Sequence, residues 1–144
     1  MVILGNENNW IMKIKKYIYC VLLLFLFVSC HSNLIYFDIK NQSVVSCDGR
    51  ILNLYIISKD GNDYLCFSLL PEKRGDNVFS VKKISENYSV RVIRTHINLQ
   101  NFKLRPDMEY EIINNSIGDA ANGRLLIKTD KNSNVIYADK ISCD

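Results

Sequence analysis

The side chains that could do chemistry in this chain are few and scattered. His96 follows Arg94 and Thr95, which build no triad with it, and the other histidine, His31, directly follows Cys30. A nucleophile needs a base within hydrogen-bond reach and a group to orient that base, and no run of this sequence supplies the set. Two close acidic pairs occur, Asp60 with Asp63 and Glu109 with Glu111. The first flanks a turn signal and the second falls on the polar side of an alternating strand, so both read as structural. There is no CxxC pair, no HExxH, no GxSxG and no glycine-rich phosphate loop. No metal site, cofactor or catalytic role is expected. Gly118-Asp119-Ala120-Ala121 could offer backbone amides to a ligand, although a loop of this kind ordinarily just turns the chain.

The elements that would position these residues begin with a leader. Lys13, Lys15 and Lys16 form a basic n-region, and Tyr17 to Val28 form a twelve-residue apolar h-region. Such a run is too short to span a bilayer and has the layout of a secretory signal. Residues 1–11 precede that basic region and include Glu7 and Trp10, so Met12 reads as the better initiator. The end of the leader, Val28-Ser29-Cys30, resembles the bacterial lipobox, with Phe27 in place of the usual leucine. The resemblance implies cleavage after Ser29, acylation of Cys30 (palmitate included) and a short tether over residues 30–33. In enteric-type bacteria the non-aspartate His31 then implies a lipid anchor in the periplasm-facing leaflet of the outer membrane.

The expected domain covers residues 34–144, one core by size. With the leader's three lysines and Glu7 removed, the formal net charge of +3 falls to +1, which gives no electrostatic argument for nucleic acid. Cys47, Cys66 and Cys143 remain in an oxidising compartment, and the odd number suggests one bridge and one buried thiol.

Nearly everything after residue 33 reads as short strands between turns. Ile35, Phe37 and Ile39 alternate, as do Leu52, Leu54 and Ile56. Asp60-Gly61 before the run Tyr64 to Leu70 signals a hairpin, because glycine accepts the positive φ of the turn. Val78 to Ile84 and Tyr88 to Leu99 are further extended runs. In the second, Ile97 and Leu99 fall out of phase with Tyr88, Val90 and Val92, so a bulge is expected near Arg94 to His96. Met108, Tyr110 and Ile112 alternate with Glu109 and Glu111, and Leu125 to Ile141 reads as a final hairpin. Seven or eight strands without an amphipathic helix argue for an antiparallel β-sandwich or small barrel.

One local motif favours the sandwich. Leu104-Arg105-Pro106-Asp107-Met108-Glu109-Tyr110 resembles the E–F corner of fibronectin type III and related immunoglobulin-like domains. The resemblance implies that the Tyr110 hydroxyl bonds back to the corner built by Leu104 and Pro106. It also implies a short strand, Ser43 to Cys47, running parallel to the last strand, which would pair Cys47 with Cys143; Cys66, alternating with apolar neighbours, reads as a packed, unreactive thiol. The core tryptophan common in such folds is absent, since Trp10 lies in the leader.

Taken together, the lipobox, the strand Tyr64-Leu65-Cys66-Phe67-Ser68-Leu69, the corner, and Gly118-Asp119-Ala120 followed by Ile127-Lys128-Thr129-Asp130 resemble immunity lipoproteins of type VI secretion systems. That resemblance implies a protein, monomeric when free, that binds a toxin delivered into the periplasm and blocks its active site. The alternative is a structural lipoprotein that docks onto an envelope assembly or secretion complex. Partner-binding candidates are the loop Glu72 to Asn77 with Arg74, the cationic stretch of Lys82, Lys83, Arg91 and Arg94, and the loop Asn114 to Gly123 with Asp119.

Overall fold

The computed structural model describes residues 33–47, 49–116 and 123–143. Within them the chain folds as nine strands and no helix: β1 (Ile35–Asp38), β2 (Ser43–Ser46), β3 (Asn53–Ser58), β4 (Tyr64–Leu69), β5 (Val78–Ser80), β6 (Tyr88–Arg94), β7 (Glu109–Asn115), β8 (Gly123–Thr129) and β9 (Val135–Ala138). They form two antiparallel sheets, one in the order β1-β2-β5 and one in the order β6-β4-β3-β7-β8-β9. The expected leader, Cys30 and the tether to residue 32 lie outside the described residues.

The two-residue period of the sequence carries directly into packing. In β7 the inward set is Tyr110, Ile112 and Asn114; in β8 it is Gly123, Leu125, Ile127 and Thr129. Aromatic rings join the two sheets. Phe79 of β5 meets Phe67 of β4 at a centroid distance of 4.9 Å and Tyr88 of β6 at 5.5 Å, and Phe102 meets Phe67 at 5.6 Å. All three contacts are edge-on, the arrangement that suits ring quadrupoles. Each such ring, fully buried, contributes about 1.5–3 kcal/mol of transfer free energy.

Gln42 ties β9 to the smaller sheet. Its backbone is left-handed (φ 52°), and its amide donates to Val135 O at 2.9 Å while accepting from Val135 N at 2.7 Å. A side-chain amide thus replaces a ladder pair between residues 93 apart.

The chain after β9 runs antiparallel to β1, with Phe37 N donating to Lys140 O at 2.9 Å. It reaches Cys143, which is disulfide-bonded to Cys47 with the Cα atoms 5.6 Å apart. The route differs from the expected strand pairing: β2 is bonded to β1 and β5, and β9 to β8. A bridge across 96 residues contributes about 4–5 kcal/mol on the chain-entropy account.

Two further differences have physical causes. The described residues hold nine strands because β2, implied only by the corner resemblance, is four residues long and too short to show a period of its own. The bulge falls at Ile93, where Leu65 pairs with Val92 but Tyr64 pairs with Arg94. At the other end, Gly123 is required by close approach: a Cβ there would stand 1.7 Å from Asn33 O.

Candidate functional site

The acidic pair Asp60 and Asp63 and the corner tyrosine meet in one polar network. Asp63 is completely buried, and its carboxylate accepts from Arg105 Nε at 2.6 Å, His96 N at 2.7 Å and Thr95 Oγ1 at 3.0 Å. Arg105 Nη2 donates to both oxygens of Asp60, at 2.7 and 2.8 Å. Those bonds hold the Asp60 carboxyl well below the usual carboxylate range, with Ser58 adding to the effect, and push the Arg105 guanidinium higher still. The Tyr110 hydroxyl accepts from Arg105 N at 2.8 Å, five residues back, and burial pushes its phenol up to about 12. Thr129 Oγ1 closes the corner by donating to Arg105 O at 2.7 Å. Leu104 is buried beneath, and Pro106 is exposed at the bend. Every charge here is answered by another, so the network fixes the hairpin β3–β4, the corner and the end of β6 to one another. His96 contributes its backbone to this and leaves its side chain exposed.

The other face of the six-stranded sheet is different in kind. Outward positions follow the register: Arg91, Cys66, Tyr55, Ile113 and Arg124 make one row, and Tyr64, Ile57, Glu111 and Leu126 the next. Glu109, Lys128 and Tyr137 make a third. An outer sheet face in water ordinarily alternates to polar residues, yet this one carries Tyr55, Ile57, Tyr64, Ile113, Leu126 and Tyr137. Leu126 is 53% exposed and Tyr137 56%. Between β3, β7, β8 and β9 the face dips into a groove of about 740 Å³ lined by Ile57, Leu126, Tyr137 and the charged side chains beside them. The charges on this face pair with one another: Lys59 with Glu109 at 2.5 Å, Arg124 with Glu111 at 2.9 Å and Lys128 with Glu109 at 3.8 Å. Cys66, free and buried, sits in this outer layer between Tyr55 and Arg91 rather than in the inter-sheet core, with Sγ 3.6 Å from Ser68 Oγ.

The residues singled out from sequence fall on different surfaces. Arg91 lies on the outer sheet face, and Arg94 pairs with Tyr64 at the bulged end of the edge strand β6. Arg74 is exposed in the loop after β4. Asp119 lies outside the described residues. The cationic stretch is divided, since Lys82 and Lys83 follow β5 at one end of the sandwich. Among the described residues no three His, Cys, Asp or Glu side chains could hold a metal ion.

This chain matches no family model, no curated protein and no solved structure. The site must therefore be read from its own residues. The apolar outer face is the feature that reasoning from single residues did not find. Its signal is present in runs that are apolar on both faces, Leu54-Tyr55-Ile56-Ile57 and Leu125-Leu126-Ile127, where a strand open to water should alternate. What such a face can do chemically is bury against a complementary surface, its own charges being already paired with one another.

Proposed function

We propose that this protein is a lipid-anchored periplasmic immunity protein that covers a delivered toxin with the outer face of its six-stranded sheet. The observation that carries the reading is the patch of outward Tyr55, Ile57, Leu126 and Tyr137, spread over adjacent rows of the sheet and interspersed with charges paired to one another. Tyrosines and aliphatic groups interleaved with charges that already pair with one another, as Glu111 between Ile57 and Leu126 pairs with Arg124, suit a protein interface that buries about 800 Å² per partner. The leader that ends in Cys30 supports a periplasmic site of action. Occlusion of an active site needs no chemistry from this chain, only a rigid surface, and the cross-linked sandwich supplies one.

The experiment is to express the product of the gene directly upstream in the periplasm, with and without this protein. Killing by that product alone and survival when the two are co-expressed would support the reading. A product that is harmless alone, or that kills equally well in the presence of this protein, would overturn it in favour of a structural lipoprotein docked on an envelope assembly.

A further inference from the structure

A second groove, of about 780 Å³, opens at one end of the sandwich and has a different character. Its walls are the segment after β5 (Val81, Lys82, Lys83), the segment before the corner (Gln100 to Lys103) and the β8–β9 turn (Asn132 to Asn134). β8 runs from Gly123, against Asn33, to Thr129 just before that turn, so the groove lies at the opposite end of β8 from the point where the chain arrives from its N-terminal segment.

No aspartate or glutamate lines this groove. Lys82, Lys83 and Lys103 are all exposed, and none forms an ion pair among the described residues, whereas every cation of the sheet-face groove does. The turn is stitched by Asp130, whose Oδ1 accepts from Asn132 N and Asn134 N at 2.8 Å each. That arrangement leaves the side-chain amides of Asn132 and Asn134 free to face a ligand. Half-buried Ile84 and Leu99, with buried Val81 and Phe102 beneath them, form an apolar floor.

We infer that this groove binds an extended acidic segment of a protein. Successive residues of an extended chain point to opposite sides, and those on one side stand about 6.6–6.8 Å apart, so one set of side chains can meet the lysines while the other rests on the floor. The amides of Asn132 and Asn134 suit the backbone between them. Lysines are flexible point charges and do not form the bidentate fork that selects phosphate, and no arginine lines the groove. Phe102 is too deep to serve as the stacking platform a sugar ring needs. The inference does not depend on the toxin reading, because it concerns a different surface and a ligand defined by its charge.

The test is fluorescence anisotropy of the full chain with a labelled octapeptide of alternating glutamate and leucine, set against the same peptide with glutamine for glutamate. The acidic peptide should bind at least about tenfold more tightly, as charge-assisted hydrogen bonds and their screening by salt would require. Lys82→Gln, Lys83→Gln and Lys103→Gln together should reduce its affinity at least tenfold, while Lys140→Gln, a cation elsewhere on the surface, should leave it unchanged. Equal binding of the two peptides, no binding of either, or an affinity indifferent to the triple substitution would overturn the inference. So would displacement of the peptide by inorganic phosphate or by an oligogalacturonate at concentrations below the peptide's own.

Discussion

Lys103 and Arg105 stand two residues apart in the chain and use their charge in opposite ways. Arg105 turns inward to Asp60 and Asp63, and its backbone amide is taken by Tyr110, so the cation belongs to the fold. Lys103 turns outward beside Lys82 and Lys83 into a groove with no carboxylate, so that cation belongs to whatever enters. The difference teaches how to separate structural from functional charge in a small sandwich. A charge that the surrounding carboxylates already satisfy costs stability when removed, and one left unsatisfied in a concave wall does not.

Substitution at the two positions should show the largest contrast. Arg105→Met leaves Asp63 buried without its counter-charge, and breaking a buried pair in this way costs about 3–5 kcal/mol. Lys103→Met should change stability by no more than about 0.5 kcal/mol, as is usual for exposed positions. Urea denaturation of both variants measures this directly, and comparable losses would erase the distinction.

A smaller effect is expected at Tyr110. Tyr110→Phe removes the acceptor for Arg105 N and should cost about 1–3 kcal/mol. Because burial raises the phenol to about 12 from an ordinary value of 10, folding keeps it protonated. Its contribution is therefore complete below pH 10 and is lost as the pH rises towards 12. The wild type should lose stability across that window more steeply than the phenylalanine variant.

The smallest effect is the acid limb. Arg105 lowers the Asp60 carboxyl below its ordinary value of 3.8, so the contribution is present above that pH and declines as the pH falls beneath it. Asp60→Asn should flatten the fall in stability as the pH drops from about 4 towards 2. A variant with the same acid profile as the wild type would mean that the Arg105–Asp60 pair is silent.

Much of the fold is legible in the sequence because strand alternation and turn chemistry are local. Asp60-Gly61 marks its hairpin, with Gly61 at φ 72°, and the seven residues from Leu104 to Tyr110 mark the corner. β2 is not legible from its own pattern, since four residues carry too little and only the corner resemblance implies a strand at Ser43 to Cys47, and its place between β1 and β5 depends on pairings distant in sequence. Asp63 looks like a turn residue until Arg105, 42 positions later, is brought against it. The candidate surfaces follow the same rule. Lys82 and Lys83 stand out as cations in sequence, but only the fold adds Lys103 and the Asn132–Asn134 turn beside them. The outer sheet face is harder still, because a strand apolar on both sides looks like a buried one until its neighbours are known.

The central claim is that the outer face of the six-stranded sheet is where a partner protein binds. The most direct measurement is calorimetric titration of the purified upstream gene product into the full-length protein and into a Leu126→Thr, Tyr137→Thr variant. Both residues are more than half exposed and lie outside the inter-sheet core, so the variant should unfold at the wild-type urea midpoint. Loss of two interface anchors should weaken binding by about thirtyfold or more. An unchanged affinity in a variant of unchanged stability would contradict the account.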